Sequence, residues 1–235
     1  MIRVARVALI FAGGSGMGAD AARRLHADGF EVGILSSSGK GAALAEELGG
    51  LGFTGSNLEP ADLKAFVDAA LARWGRIDVV VNSAGHGPSG DLLEVPDEDW
   101  HAGLDIFLMN VIRVARLVTP IMVAQKDGVI LNISTFAALE PQLRFAVSNV
   151  FRAGLASFTK LYSDRYGPDN VRMNNVLPGF IDSLPIDPAR SKEVPLARYG
   201  RMEEVSATLS FLASPGAGYI TGQNIRIDGG ATRSL

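Results

Sequence analysis

Short apolar runs rich in β-branched residues alternate with longer stretches of helical periodicity along the chain, and that alternation leaves little choice of architecture. The runs Val7–Phe11, Glu31–Leu35 and Phe53–Ser56 are followed by helical patterns at Ala19–Asp28, Gly41–Leu48 and Ala61–Trp74, and Val79–Val81 by a polar loop. The second half continues with a long helix Leu104–Gln125, a strand Gly128–Ile133, a helix Val147–Tyr166, a strand Val171–Leu177, a helix Glu203–Ala213 and a strand Asn224–Ile227. Strands separated by helices pair in parallel through crossovers, so the expectation is an α/β fold: a doubly wound parallel sheet of about seven strands with helices on both faces. With 235 residues, 47% of them hydrophobic, the chain suits one large core, and residues 1–235 are expected to form a single domain. The segment 179–200, carrying Pro185, Pro188 and Pro195, breaks the pattern and is expected to be a substrate lid.

The charge balance, 22 basic against 25 acidic residues without runs of one sign, gives no footprint for nucleic acid or an anionic membrane. No run of about 18 uninterrupted apolar residues occurs, and the opening Met1-Ile2-Arg3-Val4-Ala5-Arg6 reads as strand-like rather than as a signal peptide, so a cytoplasmic protein is expected. The chain has no cysteine, and its three histidines are scattered, which excludes disulfides, thiolate nucleophiles and a recognisable metal site.

After the first strand comes Phe11-Ala12-Gly13-Gly14-Ser15-Gly16-Met17-Gly18, leading directly into a helix. Glycines there let backbone amides approach a pyrophosphate where the helix N-terminus is partially positive. A dinucleotide site that prefers NAD places a carboxylate at the end of the second strand. Here that end reads Leu35-Ser36-Ser37-Ser38-Gly39-Lys40, three hydroxyls and an ammonium without an acid. A 2′-phosphate suits such groups, so NADP(H) is favoured and NAD(H) remains open.

With these residues in view the chain resembles a short-chain dehydrogenase/reductase over essentially its whole length, which implies a Rossmann-type sheet. The glycine turn is similar to that family's Thr-Gly-x-x-x-Gly-x-Gly, with Gly16 and Gly18 matching and Phe11 and Ala12 replacing the first two positions. Asn57, followed by Leu58, stands where the family often has an adenine-contacting aspartate; Asn82-Ser83-Ala84-Gly85 resembles Asn-Asn-Ala-Gly. Pro178-Gly179-Phe180-Ile181-Asp182-Ser183 resembles the Pro-Gly loop, and Tyr219-Ile220-Thr221-Gly222-Gln223 and Asp228-Gly229-Gly230 fit the C-terminal pattern. The resemblance implies that Asn82, Gly85, Ile181 and Ser183 line the nicotinamide half, and that the last helix and strand help build a homo-oligomer, a tetramer or a dimer.

The resemblance also implies an Asn, Ser, Tyr, Lys tetrad, in which a lysine lowers the tyrosine's pKa so that the phenol can exchange a proton with substrate. Counting back from Val171-Arg172-Met173-Asn174 puts Ser148 at the tyrosine position and Arg152 at the lysine position. Thr135 falls thirteen residues before Ser148, in the place of the serine, and keeps a hydroxyl. Phe107 takes the asparagine position, with Asn110 about one turn later as a compensating amide. Serine is a far weaker acid than a phenol, and Arg152 can still donate to the ribose hydroxyls of the cofactor, which supports binding better than proton relay. His86, after the fourth strand, is the alternative proton donor; Tyr162 and Tyr166 lie too far along their helix and read as core or interface.

The residues support three readings. One is an oxidoreductase acting on a small carbonyl or alcohol, or an activated double bond, through a rewired site. Phe107, Phe145, Phe180 and Leu184 would give its substrate an apolar lining. Another is a catalytically silent nucleotide-binding sensor or oligomer partner. The last is a redox-free enzyme resembling halohydrin dehalogenases, against which stand the retained glycine turn and the missing tyrosine.

Overall fold

The computed structural model describes residues 5–183 and 185–234; the opening residues 1–4, Leu184 and Leu235 lie outside them. Seven strands, β1 (Val7–Phe11), β2 (Glu31–Ser36), β3 (Leu51–Thr54), β4 (Val79–Asn82), β5 (Gly128–Ile133), β6 (Val171–Pro178) and β7 (Asn224–Ile227), form one parallel sheet in the order β3-β2-β1-β4-β5-β6-β7. The expected doubly wound sheet is present.

Alternation along the strands builds two apolar layers, one on each face. Ala8 and Ile10 of β1 join Ala21, Ala22 and Leu25 of α1 (Gly16–Ala27), Leu44 of α2 (Gly39–Glu47) and a C-terminal helix on one side. Val7, Leu9 and Phe11 face the other way, onto Leu63 and Phe66 of α3 (Pro60–Trp74), with Phe11 and Phe66 edge to face at 5.3 Å.

Boundaries differ from the sequence expectation where the periodicity is thin. β3 lies two residues earlier than expected because its register is set by β2, with Gly33 opposite Leu51 and Ser36 opposite Thr54. The expected loop after β4 contains a helix, α4 (Asp97–Leu104), in which only Gly103, against Val147, is fully buried. The expected unbroken helix from Leu104 is instead a π-helical turn, Asp105–Met109, followed by α5 (Asn110–Gln125). A π turn widens the helix and rotates the next turns about its axis, a device common beside functional sites. Residues Asp97–Gln125 together are long and apolar enough by composition to span a bilayer, which a search for uninterrupted apolar runs passes over because Arg113 and Arg116 intervene. In the fold, Val114, Ala115, Val118 and Met122 pack onto the sheet.

The remaining helices are α6 (Ala146–Tyr166), the short α7 (Pro188–Ser191) and α8 (Met202–Ala213). Tyr162 of α6 is core, its hydroxyl bonded to Thr119 at 2.6 Å, and burial raises its pKa to about 12. Its ring lies near that of Tyr166, at 4.6 Å.

Four asparagines in register, Asn82, Asn132, Asn175 and Asn224, form a ladder across β4, β5, β6 and β7. Each donates or accepts a side-chain amide bond to its neighbour at 2.8 to 2.9 Å, and Thr159 of α6 adds a bond to Asn175 at 3.0 Å. A one-residue slip would turn every amide into an apolar layer, so this buried network pins the register.

Candidate functional site

Strand order reverses between β1 and β4, and the crevice at their carboxyl ends is where this architecture receives ligands. The glycine turn lies at that point. Gly13 N donates to Leu35 O at 3.1 Å and Ser83 N to Phe11 O at 3.1 Å, fixing the turn between β2 and β4. Gly16 has φ +54, and a Cβ on Gly18 would sit 3.0 Å from Ala12 O. Ser15 precedes α1 in extended conformation without capping it through its side chain, so the first-turn amides of Gly16, Met17 and Gly18 receive no hydroxyl. A pyrophosphate fits those amides chemically and sterically. Ala12, where the family has glycine, itself adopts φ +56.

At the end of β2 the four polar side chains divide. Ser36 is buried, its hydroxyl donating to Ser38 O at 2.6 Å and accepting from Gly41 N at 3.2 Å. A Cβ on Gly14 or on Gly41 would fall within 2.9 Å of that hydroxyl, so Ser36 is the wedge between the glycine turn and the first turn of α2. Ser37, Ser38 and Lys40 are exposed. Those three are the groups free to meet a phosphate. Asn57 is half-buried in the loop after β3, and Leu58 is exposed, its carbonyl accepting from Arg113 at 3.4 Å.

Beyond β4, Asn82 spends its amide on the ladder, while Ser83 and Ala84 are half-buried and Gly85 and His86 are exposed. The next residue, Gly87, lies so close to Phe107 that a Cβ there would be 2.4 Å from the ring. Pro178 ends β6, and Gly179 approaches Asp228 at the end of β7, its amide bonding Ile227 O at 2.9 Å. The irregular segment then closes on itself: Ile181 bridges Gly200, and Phe180 packs between Phe136 and Tyr199 at 5.8 and 5.7 Å. Ser183 reaches the glycine turn, within 3.9 Å of where a Gly16 Cβ would be. Leu184, expected in the apolar lining, lies outside the described residues.

Of the four positions counted from the family pattern, 107, 148 and 152 contact one another beside the end of β5, and Thr135 follows that strand. Thr135 accepts from Ala137 N at 3.3 Å and caps a short 3-10 turn, which leaves its hydroxyl proton available. Arg152 of α6 is only 8% exposed. Its Nε donates to Ser148 Oγ at 3.2 Å, its Nη1 donates to Ile133 O at 3.0 Å, and its guanidinium lies 4.7 Å over the Phe107 ring. Burial lowers its pKa to about 10, so it stays cationic near neutrality. Phe107 is therefore the platform beneath Arg152 rather than an open wall; Phe145 is partly exposed. Asn110, behind the π turn, is buried and its Oδ1 accepts from Val111 N at 2.7 Å.

Two features went unforeseen. Ser134 carries a buried hydroxyl that has no protein partner among the described residues, and Glu140 binds the chain's C-terminal segment through the backbone amides of Arg233, at 2.6 Å, and Ser234. Those amide bonds hold the Glu140 carboxyl below its ordinary pKa. A buried-serine pattern beside Thr135 could have flagged the first; the second depends on long-range folding.

A family profile described as enoyl-(acyl carrier protein) reductase matches residues 11–232. The chain belongs to the short-chain dehydrogenase/reductase family. It is 36% identical to a 3-oxoacyl-[acyl-carrier-protein] reductase of Synechocystis, covering 96% of both chains, and 32% identical to nodulation protein G of Rhizobium meliloti, again covering 96% of both. The fold matches the crystal structure of YwfH, an NADPH-dependent reductase involved in bacilysin biosynthesis, with TM-score 0.93 over 98% of this chain and 100% of that one at 23% identity. Membership in this dehydrogenase/reductase family makes the chain an oxidoreductase by type.

Proposed function

We propose that this short-chain dehydrogenase/reductase is an NADP(H)-dependent oxidoreductase of a small carbonyl, alcohol or activated double bond, working through a non-standard active site. The observation that carries the reading is the open glycine turn at the switch point, beside a β2 end that presents Ser37, Ser38 and Lys40 and no carboxylate. Gly13, Gly14, Ser15, Gly16, Met17 and Gly18 would hold the pyrophosphate. Asn57 and Leu58 would border the adenine; Ser83, Ala84, Gly85, Pro178, Gly179, Ile181 and Ser183 would border the nicotinamide. A bound nicotinamide supplies the hydride.

The protein's own contribution is then orientation and charge. Thr135, Ser148 and Arg152 hold the substrate by hydrogen bonds and positive charge, and His86 exchanges the proton with the reacting oxygen at the crevice mouth. The segment 179–200 covers the substrate. Exposed apolar residues on the outer faces, Val150 and Leu161 of α6, Phe211 of α8 and the fully exposed Tyr219, favour a homo-oligomer, a tetramer or a dimer. A cytoplasmic location belongs to the same reading.

The test is titration of nucleotide-free protein with NADPH and NADH, read by quenching of Trp74 and Trp100 or by calorimetry. Micromolar or tighter binding with NADPH preferred is expected. Absence of binding by either nucleotide overturns the reading. Binding without consumption across a panel of aldehydes, ketones and enones would instead select the silent-sensor reading, which the mutual contacts of Ser148, Arg152 and Phe107 also suit.

A further inference from the structure

We infer that the Arg152 cluster is a receptor for a carboxylate, so that the substrate of this chain carries a free acid group of its own. The inference deepens the oxidoreductase reading by naming a substrate class, and it rests on that reading. Its starting point is an imbalance of charge. Arg152 is more than nine-tenths buried, and among the described residues no carboxylate lies within ion-pair distance of it. Burial alone moves its proton affinity, with no acidic neighbour opposing the shift. A buried cation without an anion is costly, and proteins keep one where something else supplies the counter-charge.

The hydrogen-bond inventory shows where that charge would enter. Nε is spent on Ser148 and Nη1 on Ile133 O, while the ring of Phe107 covers one face. Nη2 makes no hydrogen bond with the described residues. Ser148 accepts from Nε, which leaves its own proton to donate. Thr135, two residues beyond the carbonyl that anchors Arg152, has its proton free as well. Beside Arg152 the Ser148 hydroxyl thus presents a donor next to a cationic N–H, and Thr135 offers a second hydroxyl donor just beyond the end of β5. Neutral carbonyls need donors too, but they leave the buried charge uncompensated, whereas a carboxylate satisfies donors and charge together.

Nor does the cofactor supply the missing charge in this arrangement. The pyrophosphate would lie on the amides of α1, on the far side of β4 from the Arg152 anchor on β5, and a 2′-phosphate would lie farther still, at the end of β2.

The experiment measures binding of butyrate and benzoate against butyramide and benzamide by calorimetry, with and without saturating NADPH. The acids are expected to bind about 10- to 100-fold more tightly than the isosteric amides, the range of a charge-assisted hydrogen bond. Arg152→Met should abolish that preference, and Arg152→Lys should restore part of it. Equal affinity of acid and amide, or no binding of either at tens of millimolar, overturns the inference. So does an Arg152→Met protein that melts lower yet keeps the preference, since Arg152 would then be a packing element only. Should Arg152→Met fail to fold, the acid-to-amide ratio in the unaltered protein still decides. Failure of NADPH to bind would defeat the oxidoreductase reading alone, because the acid-to-amide ratio is also read in nucleotide-free protein.

Discussion

The two ends of the crevice are built by different means. At the β1–β2 end recognition is made of backbone: glycines at Gly14, Gly16 and Gly18 remove side chains so that amides are exposed, and the one buried hydroxyl, Ser36, holds the turn together. At the β5 end it is made of side chains that touch one another, Arg152 on Phe107 and Arg152 on Ser148. Backbone recognition tolerates drift at neighbouring positions, because any residue carries an amide. Side-chain recognition changes in concert or not at all. The phenylalanine beneath the guanidinium supplies a cation–π contact, and the serine accepts from it. Phe107, Ser148 and Arg152 therefore form one contact unit.

The largest expected effect tests whether the side-chain end performs chemistry. If His86 exchanges the proton, His86→Gln lowers turnover by about 10² to 10⁴, the usual contribution of a general acid or base. Nucleotide affinity stays as it was, since His86 lies beyond the glycine turn on the loop that packs against Phe107. An unchanged rate removes His86 from the mechanism and leaves hydride transfer to a substrate that takes its proton from water.

Next in size is a break at the backbone end. A Cβ on Gly18 meets Ala12 O at 3.0 Å and Gly13 Cα at 3.1 Å, both backbone atoms that cannot swing aside. Gly18→Val should therefore weaken NADPH by about 100-fold, roughly 2.7 kcal/mol, by displacing the amides. The preference for acid over amide at Arg152 should survive in the nucleotide-free variant. Loss of both together would show that the two ends fold as one unit and blunt the contrast drawn between them.

Much of this is legible in the sequence, and the reasons for the rest are physical. β1 and β5 have the ends their sequence implies because each is a largely apolar run bounded by turn residues, and β7, Asn224-Ile225-Arg226-Ile227, because its apolar residues alternate between turn residues. β3 is displaced from its apolar run because a short edge strand takes its register from its neighbour, which composition does not report. α4 has no sequence signature because only Gly103 of its residues is buried, so it has no apolar stripe. The π turn leaves no periodic mark at all. Positions 107, 135, 148 and 152 can be counted from the family pattern, yet the meeting of 107 with 152 depends on contacts across 45 residues of chain. Ser36 looks like a phosphate ligand in sequence because a hydroxyl's chemistry is visible there and its occupation by Ser38 and Gly41 is not.

The smallest effect sharpens the comparison from inside the cofactor end, which is not free of substitution either. Ala12 holds φ +56 where the family pattern has glycine. A left-handed alanine costs about 1–2 kcal/mol, and a glycine there would avoid that cost while losing roughly 0.5–1 kcal/mol to its freer unfolded state. Ala12→Gly should thus stabilise the protein by about 0.5–1 kcal/mol, a rise in melting temperature of roughly 2 °C for a chain of this size. NADPH affinity should stay the same, because Gly13 N and Ser83 N hold the turn from both sides whatever occupies position 12. A gain in affinity along with stability would mean that the alanine detunes the site, and the two ends would then have changed together. A fall in melting temperature would mean that the surrounding contacts already relieve the strain, leaving the backbone end as permissive as its glycines suggest.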